Sequence, residues 1–272
     1  MIRVGVIGTG AIGHAIASSL ADAPIPGVEL TGIASRPHAR LRAEKLAAQW
    51  HCAATTDPMT LPRTGANLVV EAAGAVAAKQ YAIPLLEAGC DVIIMSTGAL
   101  ADAEFVAELR RVAAACSRRV HLPSGSIAGI DGILSAMESG GVEIRVTTRK
   151  HPQALVGAPY FDQTGLDVTQ LTTATTVFEG NAREAVAGFP SNLNVALTLA
   201  TAAGGFDHVK VRIVADPEAQ FTTHQIEVAA KSGTITVELT NKPSESNPKS
   251  SWLAALSAIA TIRRIASPLR IG

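Results

Sequence analysis

The stretch GVIGTGAIG, Gly5–Gly13, decides the fold of the N-terminal half of this chain. Gly8, Gly10 and Gly13 form the pattern G-x-G-x-x-G after an apolar run that reads as a strand and before a helical pattern. In that context the first glycine permits a tight turn, the second lets a pyrophosphate approach the backbone, and the third lets helix and strand pack closely. The free N–H groups and positive dipole end of the helix suit phosphate. The stretch therefore predicts a Rossmann domain that binds a dinucleotide.

The first 122 residues support this prediction because short β-branched runs alternate with alanine- and leucine-rich segments. The predicted strands are Ile2–Ile7, Val28–Ala34, Asn67–Ala72, Asp91–Ser96 and Val120–Leu122. The predicted helices are Ala11–Ala23, His38–Gln49, Ala78–Ala88 and Asp102–Ala115. This alternation is typical of a doubly wound parallel sheet in an α/β domain.

The second half follows a different pattern, in which apolar residues recur at every second position of several strands. Lys231–Gly233 is predicted to be the turn of a hairpin, and Ser191 to cap a helix that ends before Gly204. We therefore expect a Rossmann domain over residues 1–124 and a second, α+β domain over 125–249. The amphipathic C-terminal helix, within 250–272, is expected to pack back on the first domain.

Composition excludes several classes of function. The chain has 272 residues, of which 47% are hydrophobic and 17% charged, as in an ordinary globular protein. Its 23 basic residues balance 23 acidic ones, so neither nucleic acid nor an anionic membrane is an expected partner, and a small-molecule substrate is. Neither a signal peptide nor a membrane span is predicted, so the expected location is the cytoplasm. The three cysteines and seven histidines show no metal-ligand spacing, and no metal is expected.

The end of the second predicted strand bears on the choice of cofactor. A carboxylate there would bind the free 2′-hydroxyl of an NAD ribose, but this chain has Ser35 and Arg36. A hydroxyl and a guanidinium can instead hold a 2′-phosphate. We therefore predict that NADP is accepted, with NAD as the other cofactor; the alternative is that Arg36 is a solvated surface residue.

Five segments together resemble the L-aspartate dehydrogenase family. They are VEAAG (Val70–Gly74), PSGSIAGIDG (Pro123–Gly132), TTRKHPQAL (Thr147–Leu155), FPSNLNVALTLA (Phe189–Ala200) and NPKSSWLAALS (Asn247–Ser257). The resemblance implies reversible oxidative deamination of L-aspartate to iminosuccinate with NAD or NADP. The imine either hydrolyses to oxaloacetate and ammonia or feeds nicotinamide-cofactor synthesis. The resemblance also implies that residues 125–249 form a mixed-sheet domain for substrate, catalysis and dimerisation, and that the protein is a homodimer.

The resemblance assigns roles to individual positions. It places the catalytic histidine at His224 in FTTHQIEV. The cofactor-binding residues expected from the glycine pattern, the second strand and the resemblance together are Gly8, Gly10, Ile12, Gly13, Ser35, Arg36, Ala73, Ala128 and Asn194. For the substrate carboxylates the candidates are Arg149, Lys150 and Lys249, because cations suit carboxylates and these three lie in the family-like segments. The chain departs from the family pattern at His151 and Ser250.

The position of His224 within its own segment also favours a role as an acid/base, although less specifically than the resemblance does. On a strand it shares a face with Ile226 and Val228, so it should point to the apolar side, where burial can tune an acid/base. A structural core histidine is the alternative. His14 and His121 are rival candidates, His121 because it ends a strand near the expected cofactor crevice.

Two other functions remain open at this point. One is another imine-handling enzyme, such as a different amino-acid dehydrogenase or a relative of dihydrodipicolinate reductase. Dihydrodipicolinate reductases have a histidine-rich segment followed by a K-x-D-A-P-S-G-T-like motif, and this sequence does not match that pattern. The other is a non-catalytic nucleotide-sensing module, which would need no buried acid/base.

Overall fold

A computed structural model describes residues 1–189, 194–244 and 247–270, with only the backbone at 244 and 247–250. The chain forms two compact units. Unit 1 comprises Met1–Gly125 and Ala254–Gly272, and unit 2 comprises Ser126–Leu253.

Unit 1 contains a parallel sheet of six strands. They are β1 (Ile2–Ile7), β2 (Val28–Ala34), β3 (Ala53–Thr55), β4 (Leu68–Glu71), β5 (Asp91–Ile94) and β6 (Val120–His121). Their order is β3-β2-β1-β4-β5-β6, so the direction of winding reverses between β1 and β4. This is the order of a doubly wound dinucleotide-binding fold, whose ligands bind at the reversal. The predicted fold class is confirmed, although β3 was not predicted.

Helices cover both faces of this sheet. They are α1 (Ala11–Asp22), α2 (Arg40–Gln49), α3 (Ala75–Glu87) and α4 (Ala103–Ala115). Consecutive buried residues of β4 point to opposite faces of the sheet. Val70 belongs to the hydrophobic cluster under α1 and α2, and Val69 belongs to the cluster under α3 and α4. Burial on both faces explains why the strands read as continuous apolar runs. Helix α3 begins at Ala75, earlier than the predicted Ala78, directly after Gly74 at φ +117°.

Unit 2 contains a second sheet, of five strands in the order β11-β10-β7-β9-β8. The strands are β7 (Glu143–Lys150), β8 (Thr175–Asn181), β9 (Val209–Ala215), β10 (Thr222–Ala230) and β11 (Gly233–Asn241), followed by a small pair β12 (Pro243–Ser244) and β13 (Asn247–Ser251). Strands β7 and β9 are parallel and the other pairs antiparallel, which confirms a mixed sheet. Ala230 pairs with Gly233, so the hairpin predicted at Lys231–Gly233 is present.

The helices of unit 2 are α5 (Ile130–Met137), α6 (Pro159–Thr164), α7 (Ala182–Gly188) and α8 (Asn194–Ala202). Helix α5 packs on β10 and β11, while α7 and α8 pack on β9. The predicted cap Ser191 lies outside the described residues. One face of the sheet is therefore covered and the other carries alternating polar residues, as the sequence pattern indicates.

The C-terminal helix α9 spans Trp252–Ala266. Its buried residues Ala255, Ala258 and Ile262 belong to the unit 1 cluster under α1 and α2. Short 3-10 helices occur at Pro37–Ala39, Pro58–Thr64, Thr97–Ala101, Pro152–Ala154, Val168–Gln170 and Phe206–His208. Within the described ranges, every helix is too short or too polar to cross a membrane.

Candidate active site

A cleft of about 500 Å³ opens in unit 1 at the carboxyl ends of β1, β2 and β4. Five predicted cofactor-binding residues line it: Gly8, Gly10, Ser35, Arg36 and Ala73. Two others do not: Ile12 packs against the core and Gly13 is buried in α1. The cleft lies at the topological reversal, where doubly wound sheets bind their ligands.

The three glycines of the turn differ in whether the fold itself requires a glycine at that position. A Cβ on Gly8, which has φ +106°, would lie 2.6 Å from the Ala72 carbonyl oxygen, and one on Gly13 would overlap the Gly8 carbonyl. The fold itself therefore requires both. Gly10 has φ −71°, which any residue can adopt, and a Cβ there would meet nothing within 4 Å. The fold does not require Gly10, but a pyrophosphate bound against this backbone would.

The end of β2 presents positive charge to the same cleft. Ser35 is buried and its hydroxyl donates to the Arg36 carbonyl at 3.2 Å, while the Arg36 side chain is exposed. His38 and Arg42 line this part of the cleft as well, and among the described residues that line it there is no carboxylate. This charge pattern fits a phosphorylated ribose better than one with a free 2′-hydroxyl.

A buried carboxylate holds the two loops beside the reversal point. Glu71, at the end of β4, is 1% exposed. Its Oε1 accepts from the backbone of Ala73 at 2.7 Å and Gly74 at 2.9 Å and from the Ser96 hydroxyl at 2.9 Å; its Oε2 accepts from the Ser96 backbone at 3.2 Å. Burial raises the pKa of Glu71, and these donors oppose that rise. Glu71 thereby fixes the loop that carries Ala73 into the cleft.

His224 lies on the covered face of the unit 2 sheet, as its alternation with Ile226 and Val228 predicts. The side chain is 4% exposed, and its Nδ1 lies 2.9 Å from Oγ1 of Thr148 on β7. Lys150 is two residues further along the same face of β7. Burial, and to a smaller degree the Lys150 charge, lower the pKa of His224 to about 4. Burial lowers the pKa of Lys150 to about 8.

Arg149 points to the opposite face of β7, where its Nη1 lies 2.9 Å from Oδ2 of Asp216. A backbone hydrogen bond from Glu218 and the bond from Arg149 lower the pKa of Asp216. The structure thus brings Lys150 together with His224 and leaves Arg149 on the other side. Lys249 lies on β13, and its side chain is outside the described atoms.

Ala128 and Asn194, the other two predicted cofactor contacts, are both exposed. Ala128 precedes α5 and Asn194 begins α8, and these two helices pack against each other. Gly129 has φ +77° and a Cβ on it would lie 2.8 Å from Val237, which explains the glycine after Ala128.

The rival histidines have other surroundings. His14 packs edge-on against Trp50, with ring centroids 5.3 Å apart. Burial lowers the pKa of His121, whose Nε2 has no hydrogen-bond partner among the described residues. His151 accepts from the Gln153 backbone at 3.2 Å and so begins a 3-10 helix. Within residues 1–189, 194–244 and 247–270, no three His, Cys, Asp or Glu side chains converge as metal ligands do.

Two family models match the chain. Residues 8–123 match the model described as homoserine dehydrogenase, NAD binding domain, and residues 131–265 match aspartate dehydrogenase, C-terminal. L-aspartate dehydrogenase of Methanosarcina barkeri is 39% identical to this chain, with 100% of both chains covered. The chain belongs to the L-aspartate dehydrogenase family. The protein of that name from Methanocaldococcus jannaschii is 36% identical, again over all of both chains.

Solved structures agree with this assignment to the L-aspartate dehydrogenase family. Aspartate dehydrogenase from Thermotoga maritima has a TM-score of 0.75 and 27% identity, covering 100% of both chains. The apo scyllo-inositol dehydrogenase of Lactobacillus casei, at 16% identity and a TM-score of 0.57, shares the fold; the match covers 100% of this chain and 90% of that one. Family membership and the matched NAD-binding domain together establish a dehydrogenase that uses NAD or NADP.

Three residues of the candidate site were not predicted from the sequence: Thr148, Arg42 and Glu71. Arg42 could have been found as a second cation soon after the end of β2. Glu71 could have been found as a carboxylate at the end of an otherwise apolar strand. Thr148 carries no local signal, because its importance depends on which residue of β10 it faces.

Proposed function

We propose that this chain catalyses the NAD(P)-dependent oxidative deamination of L-aspartate to iminosuccinate, which hydrolyses to oxaloacetate and ammonia. The relatives named above support the substrate. The observation that carries the reaction type is the buried pair of His224 and Thr148 with half-buried Lys150 on the same sheet face, since a chain that only senses nucleotides would need no buried acid/base.

Proton transfer is the task of His224. The ammonium group of aspartate must lose a proton before its nitrogen lone pair can form the C=N bond. A bound nicotinamide would supply the acceptor for the hydride that leaves Cα. Burial and the Lys150 charge keep the imidazole neutral near pH 7, so it can accept the proton and later return it during hydrolysis of the imine.

Lys150 is the favoured partner for a substrate carboxylate. It shares the covered sheet face with His224, whereas Arg149 is bound to Asp216 on the opposite face. An ammonium group in such a place is attractive to a dicarboxylate because its charge is little screened by water. Lys249 stays a further candidate.

Purified protein mixed with NAD or NADP and a panel of amino acids at alkaline pH tests the activity. We expect nicotinamide reduction with L-aspartate only. Turnover with another amino acid would favour a different amino-acid dehydrogenase, and no turnover at all would favour a sensing module. His224→Gln should lower kcat by about a hundredfold or more. His14→Gln and His121→Gln should keep it, and near-normal turnover of a folded His224→Gln would contradict the assignment.

We also propose that Arg36 and Arg42 make NADP an accepted cofactor by holding its 2′-phosphate. Arg36→Ala and Arg42→Ala should each weaken NADP binding by about tenfold and leave NAD binding unchanged, because a charge-assisted hydrogen bond is lost. Arg40→Ala is the matched control, since Arg40 pairs with Glu44 at 2.7 Å and does not line the cleft. Unchanged NADP affinity in both variants would refute the proposal.

A homodimer and a cytoplasmic location, both expected above, belong to the same proposal. Light scattering of the purified protein tests the first, and fractionation of cells tests the second.

A further inference from the structure

Thr148 and His224 form a cross-strand pair in the middle of the covered sheet face. They stand directly opposite each other in the register of β7 and β10, and they are 7% and 4% exposed. Residues directly opposite in adjacent strands have side chains close enough to interact specifically. The 2.9 Å separation of Oγ1 and Nδ1 is a hydrogen bond of ordinary length.

Several further neighbours of the imidazole on this face are apolar. Leu239 stands opposite His224 on β11, and Ile226 follows it on β10. On β9, beyond Thr148, the paired residue is Ile213. Among the described residues, the charge that acts on His224 is that of Lys150 on β7. The Thr148 hydroxyl, hydrogen-bonded to Nδ1, is therefore placed to orient the ring.

We propose that Thr148 is a positioning residue: its hydroxyl accepts from Nδ1–H of His224 and thereby reserves Nε2 for proton exchange with the substrate. This inference rests on the proposed function, in which His224 handles the proton.

A hydroxyl suits this role because the same hydrogen bond serves both protonation states of the ring. In the neutral imidazole Nδ1 carries the hydrogen and Nε2 has the lone pair; in the imidazolium Nδ1 remains a donor. The ring need not turn when Nε2 gains or loses its proton. A hydroxyl is uncharged, so unlike the carboxylate of a Ser-His-Asp triad it orients the ring without strongly stabilising the imidazolium. The histidine therefore returns the proton readily.

Nitrogen-15 NMR of the histidine side chains tests the tautomer directly. The His224 signals are assigned by their absence from His224→Gln. In the wild-type protein we expect neutral His224 to carry its hydrogen on Nδ1. Thr148→Val, which is close in shape but lacks the hydroxyl, should shift the population toward the Nε2–H form.

The same variants are then compared in turnover. Thr148→Val should lower kcat by about tenfold, as expected for loss of an orienting hydrogen bond, with KM for the cofactor unchanged. Thr148→Ser should restore kcat to within about twofold and restore the tautomer. Thr147→Val is the matched control, because Thr147 is the neighbouring residue on the opposite face of β7.

An Nε2–H tautomer in the wild-type protein would overturn the proposal, as would a Thr148→Ser variant as slow as Thr148→Val. If Thr148→Val does not fold, the wild-type tautomer and the Thr148→Ser rate still decide. If the wild-type protein does not turn over aspartate, the proposed function fails, while the NMR result still reports on the hydrogen bond.

Discussion

Removing the imidazole of His224 should change how the stability of the protein responds to acid. The ordinary pKa of a histidine, 6.5, applies to the unfolded chain, and burial lowers the pKa of His224 to about 4 in the folded one. Between these two pH values the unfolded state binds more protons than the folded state. The free energy of unfolding therefore falls as the pH decreases through this window.

The size of the effect follows from the shift. A difference of about 2.5 pKa units corresponds to about 3–4 kcal/mol in full, since each unit is worth about 1.4 kcal/mol. Most of this loss lies between pH 6.5 and pH 4, and almost none above pH 7. His224→Gln cannot titrate but retains an amide that can bond to the Thr148 hydroxyl. Relative to the variant, the wild-type protein should thus lose about 3 kcal/mol between pH 7 and pH 4.

Urea unfolding of both proteins at pH 7, 5.5 and 4 measures this difference. Other titrating groups, including Glu71, are present in both proteins and largely cancel from the comparison. His38→Gln, at an exposed histidine, is the control for replacing an imidazole by an amide. If the difference between wild type and His224→Gln changes by less than about 1 kcal/mol over this range, His224 is not buried as described and the reasoning on its neutrality fails.

Three further predictions concern the rest of the site. The free energy of unfolding of Gly10→Ala should lie within about 0.5 kcal/mol of the wild-type value, yet this variant should bind NAD or NADP about tenfold more weakly. Gly13→Ala, by overpacking, should lose about 1–3 kcal/mol of stability in the same urea assay. Equal behaviour of the two variants would contradict the conclusion that the fold requires Gly13 but not Gly10. Glu71→Gln should destabilise the protein by about 2 kcal/mol, because an amide NH₂ would face backbone donors, and an unchanged urea midpoint would show that the carboxylate is dispensable. Lys150→Met should raise KM for L-aspartate by about tenfold and Arg149→Ala by less than about twofold, because Lys150 shares a sheet face with the histidine and Arg149 does not. If steady-state kinetics show the larger rise in KM for Arg149→Ala, the roles of the two cations are exchanged.

The fold was predictable from the sequence where local patterns decide it. The glycine turn and the alternation of strands and helices predicted the parallel sheet and the position of α1, because both depend on neighbours along the chain. Strand β3 was not predicted because it has only three residues. Strand β8 was not predicted because TTVFEGN lacks a clear alternation of apolar and polar residues. Helix α3 began earlier than predicted because Gly74 ends the loop instead of breaking the helix.

The candidate site was predictable only in part. Period-two alternation predicted the buried side of His224, and the missing carboxylate after β2 predicted a positive end of the cleft, both from residues close in sequence. The Glu71 contacts could not be predicted, because they join the ends of two strands that meet only in the folded sheet. Nor could the sequence separate Arg149 from Lys150 as substrate partners.

The register of one strand pair separates the two cations in the folded protein. Because successive residues of a strand face opposite sides, placing Thr148 opposite His224 also places Lys150 on the histidine side and Arg149 on the other. A slip by one residue would exchange the two cations and leave the imidazole facing Thr147 or Arg149. Hydrophobic neighbours in the same strands, Ile144 and Val146 against Val228 and Ile226, exclude that slip because it would expose them. The apolar residues of β7 and β10 thus determine which charge accompanies the proposed acid/base, so the chemistry of this site depends on the packing of its sheet.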